Sequence, residues 1–361
     1  MHDSEFKFVI EMLRHDGGES LGQFPVQVDW EPAREHLRMQ GLRRCTNGNA
    51  GGSGKISIDP LWADDGEPHA VGARLTDGDL VSDVTTAYFK PLAVEVSGEL
   101  VEREVLKSGE LFHFKLFAYR NGSEAREAGL QFTVRDATPP LPFVDSPLSE
   151  LHGWSIASGD AEDGEVPVFV PQNVLDQVEV LTREAGNKET GGILIGQMHR
   201  DASVPEIAVV ITAQIPACFT ESKTTSLTFT AETWTAMRAA LDLRNSGEIM
   251  LGWWHSHPSF AFCNAECPAE RRRVCALQKP FLSSDDVLLH RTVFQKSFHV
   301  ALLANNADAG LGFALFGWCA GTVQRRAFQI LGGNRGAQDR EAEISNETST
   351  GEHAHATPCK K

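Results

Sequence analysis

The stretch "LGWWHSHP", residues 251–258, is an apolar run that ends in two histidines one residue apart. A short run of large apolar side chains is typical of a buried strand. Residues i and i+2 of an extended chain project to the same side, so His255 and His257 share one side of this strand. Pro258 stops the strand and keeps both imidazoles at its rim. Together they could bind one metal ion, although a single histidine in a strand is usually packed or hydrogen-bonded.

Polar residues elsewhere in the chain could complete a metal-dependent site. Asp286 lies in the first turn of a predicted helix, where its carboxylate could be the third ligand. Three protein ligands and a fourth position for water make a catalytic zinc site. Glu189 precedes another predicted strand and could handle protons, and Ser283 could share the pocket. Simpler interpretations exist, because Asp286 could complement the helix dipole, Ser283 could cap the helix and Glu189 could be a turn residue.

The segments around this run predict an α/β layered unit of about 170 residues. Helices are predicted from apolar residues at helical spacing and from their end signals, and strands from short apolar runs. The predicted helices are 171–186, 231–245 and 283–294, and the predicted strands are 190–196, 206–213, 226–230, 248–255, 297–304, 311–318 and 322–331.

Residues 1–140 are predicted to form a separate α+β, strand-rich domain. A proline near the first turn favours a helix at 31–39, and period-two alternation favours strands at 111–119 and 130–136. The glycine-rich stretch 47–55 lacks the Gly-Lys-Ser/Thr triplet of a phosphate-binding loop, which favours a flexible loop there. No catalytic constellation is evident in this domain.

The length of 361 residues favours two domains. Residues 141–165, rich in proline, turn formers and acidic residues, are predicted to link them, and the tail 332–361 is predicted to be disordered. A net charge of −16 argues against non-specific binding to nucleic acid. No apolar run is long enough to span a membrane, and the charges scattered through the N-terminus argue against a secretory signal. Seven unevenly spaced cysteines favour a cytoplasmic protein with reduced thiols.

The combination of Glu189 in "ETGGILIG", the "HSHP" run and "SSDD" at 283–286 resembles the signature of the JAMM metallopeptidases, also called JAB or MPN+. That signature is Glu, His-x-His-Pro and Ser-x-x-Asp, and the resemblance covers about 165–331. It implies a layered α-β-α, cytidine-deaminase-like catalytic domain over 166–331. Active members are zinc isopeptidases that remove ubiquitin or ubiquitin-like proteins. The Gly-Gly after Thr190 is similar to the bacterial branch, whose members occur with ubiquitin-like conjugation operons.

The resemblance also implies a role for each signature residue. His255, His257 and Asp286 would bind zinc. Glu189 would be the general base, passing a proton from the attacking water to the leaving amine, and Ser283 would donate a hydrogen bond to the carbonyl oxygen. Zinc makes hydroxide available near neutral pH, and a hydroxyl donor directed at the developing charge commonly contributes about 3 kcal/mol.

The chain departs from the family pattern after the second histidine, where residues 259–282 form a long insertion. Cys263, Cys267 and Cys275 lie in it, and the first two have the spacing of zinc ligands. A second, structural zinc would stabilise such a loop, and three free thiols are the alternative. The candidates for a fourth ligand are His290, His199 and Cys319.

The sequence therefore favours a zinc-dependent isopeptidase whose partner is a ubiquitin-like protein or its conjugates. Maturation of a ubiquitin-like precursor uses the same chemistry and stays open. In either case the C-terminal tail of the modifier would bind as an added strand, and the N-terminal domain would recruit the modifier or the conjugate. The alternative from another class is a non-catalytic MPN-type scaffold, against which the complete set of five signature residues counts. A metal-dependent nuclease is disfavoured by the acidic charge and the lack of a basic groove.

Overall fold

The computed structural model divides the chain into two compact units, residues 1–140 with Trp318–Thr322, and residues 141–317 with 323–361. The described residues are 5–15, 18–44, 56–64, 69–120, 141–159, 165–204, 206–217, 220–222, 227–258, 279–307 and 310–332. Among them, no helix is both long and apolar enough to cross a membrane.

Antiparallel strands and two helices make up the described part of the first unit. They are β1 (Phe6–Arg14), β2 (Ser20–Val26), α1 (Glu31–Arg44), β3 (Ser57–Trp62), β4 (Ala70–Asp77), β5 (Leu80–Thr85), α2 (Lys90–Glu102) and β6 (Phe112–Arg120). The strand order is β2-β1-β6-β4-β3, and β5 also pairs with β4. Alternate residues of β1, Phe8, Ile10 and Met12, are buried in one apolar cluster with Leu37 of α1. The sheet therefore buries one face, as period-two alternation requires.

A ten-stranded sheet is the centre of the second unit, in the order β17-β16-β15-β14-β10-β11-β9-β18-β8 with β7 also paired to β10. The elements are β7 (Phe143–Asp145), α3 (Leu148–Gly153), β8 (Ser155–Ser158), β9 (Val168–Pro171), α4 (Gln172–Ala185), β10 (Gly191–Asp201), β11 (Glu206–Pro216), β12 (Thr220–Ser222), β13 (Leu227–Phe229), α5 (Ala231–Arg244), β14 (Ile249–His257), α6 (Ser284–Val293), β15 (Val300–Ala307), β16 (Gly310–Cys319), β17 (Thr322–Arg326) and β18 (Phe328–Leu331). The short strands β12 and β13 pair only with each other.

One crossover within this sheet brings distant parts of the chain to a common edge. Strands β14 and β15 are parallel, and the connection between them contains α6. The carboxyl ends of β14 and β15 and the start of α6 therefore lie at the same edge of the sheet. Strand β10 runs antiparallel to β14, so the residues that precede β10 reach this edge as well.

The predicted elements of the second unit are present, with two differences. The segment 322–331, predicted as one strand, is divided between β17 and β18, which lie in different parts of the sheet. Within the predicted linker 141–165, β7 pairs with β10 and β8 pairs with β18, so these two short segments belong to the sheet. Strands of three or four residues are too short to show alternation, so the proline and turn residues dominated the sequence pattern. The strand predicted at 130–136 lies outside the described residues.

Candidate metal centre

Two buried imidazoles meet at the carboxyl end of β14. His255 is fully buried and His257 is 3% exposed. Their Nε2 atoms are 3.1 Å apart, because both side chains leave the strand on the same side. Burial lowers the pKa of His257, opposed by its hydrogen bond with Asp286, so the imidazole is neutral and able to bind a metal at neutral pH.

Asp286 is brought to the histidines by the N-terminal turn of α6. Its Oδ2 atom is 3.4 Å from Nε2 of His255 and 3.8 Å from Nε2 of His257. Burial acts to raise the pKa of Asp286. The charge of His255 and the hydrogen bonds from both imidazoles and Ser283 outweigh burial, and the pKa lies well below its ordinary value. The carboxylate is therefore ionised at neutral pH.

Ser283 fixes the orientation of this carboxylate. As the N-cap of α6, its Oγ accepts a hydrogen bond from the backbone N–H of Asp286 at 3.2 Å. In return the backbone N–H and the hydroxyl of Ser283 donate to Asp286 Oδ2, at 2.8 and 2.7 Å. This reciprocal arrangement is a capping box, with Asp in place of the more common Glu or Gln. Asp286 is thus held at the helix end while its Oδ2 atom faces the two imidazoles.

The three donor atoms have the spacing and chemistry of a zinc site. Ligand atoms around a tetrahedral zinc, with bonds of about 2.0–2.2 Å, are separated by about 3.3 Å. The distances found here between Nε2, Nε2 and Oδ2 are 3.1, 3.4 and 3.8 Å. Imidazole nitrogens and a carboxylate oxygen are ligands that zinc accepts. His255, His257 and Asp286 are the one group of three metal-capable side chains within the described ranges.

Glu189 lies beside this group but is not a member of it. The register pairs Gly191 with His255, and continuing it by two residues sets Glu189 opposite His257. The side chain is buried, with 4% exposed. Burial raises the pKa of Glu189 to about 7, with His255 lowering it and Asp286 raising it further. A carboxyl group with this pKa can both accept and release a proton near neutral pH.

Two bonds from Ser256 fasten the segment that carries Glu189. The backbone N–H of Ser256 donates to the carbonyl of Thr190 at 2.8 Å, and the N–H of Thr190 donates to the hydroxyl of Ser256 at 3.1 Å. Gly192, two residues further along β10, leaves no room for a side chain, since a Cβ atom would lie 2.4 Å from the carbonyl oxygen of Ile215 and 2.6 Å from Nε1 of Trp254. The close strand packing beside the site therefore requires glycine there.

Aromatic and histidine side chains form the wall behind the two imidazoles. The ring of Trp253 stacks on His255 with centroids 4.6 Å apart, and its Nε1 donates to Nδ1 of His290 at 3.2 Å. Phe281 contacts the ring of His257 with centroids 5.1 Å apart. Burial lowers the pKa of His290 to about 3, so this residue is a neutral acceptor inside the core.

The structure brings four of the predicted residues into one site: His255, His257, Asp286 and Glu189. Ser283 is adjacent to them through Asp286, and its expected donation to a substrate carbonyl stays a prediction. Cys263, Cys267 and Cys275, with most of the insertion 259–282, lie outside the described residues, so the structural zinc stays a prediction too. Of the candidates for its fourth ligand, His290 is hydrogen-bonded to Trp253, His199 has Nδ1 2.7 Å from the hydroxyl of Ser146, and Cys319 is partly exposed.

Sequence reasoning missed the contributions of Ser256 and of the Trp253–His290 pair. Ser256 stands between the two histidines, and Thr190 begins the strand predicted at 190–196, but the pairing of these two strands was not predictable from the sequence. The partner of Trp253 was not predictable, because a contact between a strand and a helix leaves no signal in the spacing of residues.

Comparison with known proteins supports a family assignment for part of the chain. Residues 166–280 match the family model described as JAB1/Mov34/MPN/PAD-1 ubiquitin protease. This match supports the MPN/JAMM family, which includes metalloisopeptidases and inactive members, and it ends before Ser283 and Asp286. No curated protein matches the chain. Among solved structures, the solution structure of protein DSY2949 from Desulfitobacterium hafniense is 18% identical, with a TM-score of 0.31 over 45% of this chain and 92% of that chain.

Proposed function

We propose that the second unit is a zinc-dependent isopeptidase that removes a ubiquitin-like protein from conjugates or processes its precursor. The observation that carries this proposal is a buried carboxyl group, Glu189, next to three donor atoms spaced for one zinc ion. A scaffold subunit needs neither a metal site nor a proton carrier with a pKa near neutrality. Burying the two imidazoles and the two carboxyl groups costs free energy. A functional role explains why the protein buries them despite this cost.

His255, His257 and Asp286 would hold the zinc ion. Zinc, when bound, supplies a Lewis acid that polarises the scissile carbonyl and makes water nucleophilic near neutral pH. Ser283 keeps the carboxylate of Asp286 in place through the capping box. The wall formed by Trp253 and Phe281 restricts rotation of the two imidazoles.

Glu189 would carry the proton in both halves of the reaction. With a pKa of about 7, its ionised form accepts a proton from the attacking water. Its protonated form then returns that proton to the nitrogen of the leaving lysine or peptide. Ser256 holds the Glu189 segment against β14 and so sets the distance for both transfers.

The substrate side of the proposal rests on the resemblance of the sequence and on the family match. The extended C-terminal tail of a ubiquitin-like protein would enter the cleft as an added strand, with small residues next to the scissile bond. The first unit would recruit the modifier or its conjugate. Neither nucleic acid nor a membrane is needed as a partner.

The test measures cleavage by the full-length, zinc-loaded chain. Substrates are fusions of every ubiquitin-like protein encoded in the same genome, joined to a reporter through its N-terminus or through a lysine side chain. We expect release of the reporter from at least one fusion, loss of release with a chelator, and recovery with zinc. Which type of fusion is cleaved separates precursor processing from deconjugation.

Two variants connect the cleavage with the proposed site. Glu189→Gln should retain zinc but lose activity by about 10²–10⁴-fold, the usual contribution of a general base. His257→Ala should lose both the metal at this site and activity. The matched control is Glu184→Gln, on the exposed surface of α4, which should behave as the wild type. Cleavage of no fusion, or full turnover by Glu189→Gln, would overturn the proposal in favour of a scaffold or of another mechanism.

A further inference from the structure

Asn305 is a buried polar side chain at the edge of the sheet where the site lies. It is 8% exposed and stands near the carboxyl end of β15, in parallel register with His257 of β14. Ala301 and Leu303, the alternate residues before it, belong to the same apolar cluster as Trp253. Because side chains alternate along a strand, Asn305 lies on the face that carries Trp253, His255 and His257.

The two strands that flank β14 therefore place different groups on the two sides of His257. Glu189, which precedes β10, is on one side, and Asn305 of β15 is on the other. The first is a proton carrier, and the second is a neutral amide with two N–H donors and one acceptor oxygen. An amide with three hydrogen-bonding positions can contact neighbouring protein groups and still donate to a ligand.

The hydroxyl of Ser283 is already engaged in the structure. It has one proton, which it donates to Asp286 Oδ2 at 2.7 Å, while its oxygen accepts from the backbone N–H of Asp286 at 3.2 Å. Donating to a substrate carbonyl would take the hydroxyl proton from Asp286, which would keep its bond from the backbone N–H of Ser283. A further donor would stabilise the charge that develops on the carbonyl oxygen, since such donors provide a large share of the rate in acyl transfer.

We infer that Asn305 is such a further donor: its side-chain amide hydrogen-bonds the carbonyl oxygen of the scissile bond, from the side of His257 opposite Glu189. The inference rests on the proposed function and names a further catalytic residue for it.

The first test measures binding without turnover. The protein is loaded with Co²⁺, and acetohydroxamate, whose carbonyl oxygen stands in for that of the substrate, is titrated while visible absorption is followed. Asn305→Ala should bind Co²⁺ as the wild type does and bind acetohydroxamate about 10-fold more weakly, as for a lost hydrogen bond. Asn305→Asp, which is nearly isosteric but lacks the N–H donors, should weaken binding as well and guards against a folding defect in the alanine variant.

Asn306→Ala is the matched control, because the next residue of β15 projects from the opposite face of the sheet. This variant should leave acetohydroxamate affinity unchanged. With a fusion that the wild type cleaves, Asn305→Ala should lower kcat by about 100-fold with little change in KM, as expected for a donor that acts in the transition state.

Unchanged acetohydroxamate affinity in Asn305→Ala would overturn the inference, and so would loss of Co²⁺, which would make Asn305 a structural residue. Failure of the proposed function has a different result, since the wild type itself would then hold no Co²⁺ at His255, His257 and Asp286 or cleave no fusion.

Discussion

Glu189 is a carboxyl group withdrawn from water, and its protonation couples folding to pH. Its pKa is about 7 in the folded chain against an ordinary value of 4.5. The folded state therefore holds a proton between pH 4.5 and 7 that the unfolded state has released. The stability linked to this group is fully present below pH 4.5 and is lost as pH rises through 7.

Glu189→Gln should remove this dependence in the metal-free protein. The amide is never ionised, so the variant should match the wild type near pH 4.5 and exceed it at pH 8, by on the order of 3 kcal/mol. Denaturant unfolding with a chelator present, at both pH values, measures the difference. The control Glu184→Gln changes an exposed carboxylate and should show no such gain. Equal stability of Glu189→Gln and wild type at pH 8 would mean that Glu189 is well solvated.

For single residues, the sequence was sufficient to identify the candidate metal ligands but not the contacts that they make. The strand end at His255 and His257 and the helix start at Asp286 were predictable, because each lies at a fixed place in a regular element. Asn305 was not, since a lone asparagine near the end of an apolar strand has no recognisable spacing to other residues. Only the pairing of β14 with β15 shows that it lies beside His257.

The junction between β10 and β14 sets the position of Glu189 relative to the two imidazoles. Glu189 lies outside the regular strand, and the nearest bonds across the junction are those between Thr190 and Ser256. The backbone bond survives any substitution, but the bond to the hydroxyl of Ser256 does not. A substitution at Ser256 can therefore remove the side-chain bond of the junction while the backbone bond remains.

Ser256→Ala should leave zinc bound and loosen the Glu189 segment. Loss of one buried hydrogen bond should cost about 1 kcal/mol of stability and lower kcat by about 10-fold, because the proton transfers depend on distance. Ser256→Thr retains the hydroxyl and should restore kcat. Zinc content, denaturant unfolding and the cleavage assay measure these effects. Loss of zinc in Ser256→Ala, or no rescue by Ser256→Thr, would count against a positioning role.

Elements of the second unit were largely predictable, and their arrangement was not. Residues at helical spacing and end signals predicted α4, α5 and α6, and apolar runs predicted β10, β11 and β14. The sequence predicts a linker where β7 and β8 lie, since strands of three or four residues carry too little pattern. Which strands are neighbours depends on contacts between distant residues, which the periodicity of a single sequence does not contain.

For the whole molecule, the site joins residues almost 100 positions apart, from Glu189 to Asp286, at one edge of a sheet. A metal ion there links strands and helix, so binding free energy is also folding free energy. The net charge of −16 acts over the entire surface and favours basic surfaces on its partners.

The number of zinc ions bound by the full chain tests whether the insertion 259–282 has a site of its own. We predict two per chain, one at His255, His257 and Asp286 and one at the insertion cysteines, because Cys263 and Cys267 have the spacing of zinc ligands. In elemental analysis of purified protein, the double variant Cys263→Ser/Cys267→Ser should retain one zinc and its activity. His257→Ala should also retain one, without activity, and Cys45→Ser in the first unit should retain both. One zinc per wild-type chain would show that the cysteines are free thiols and that the insertion is stabilised in another way.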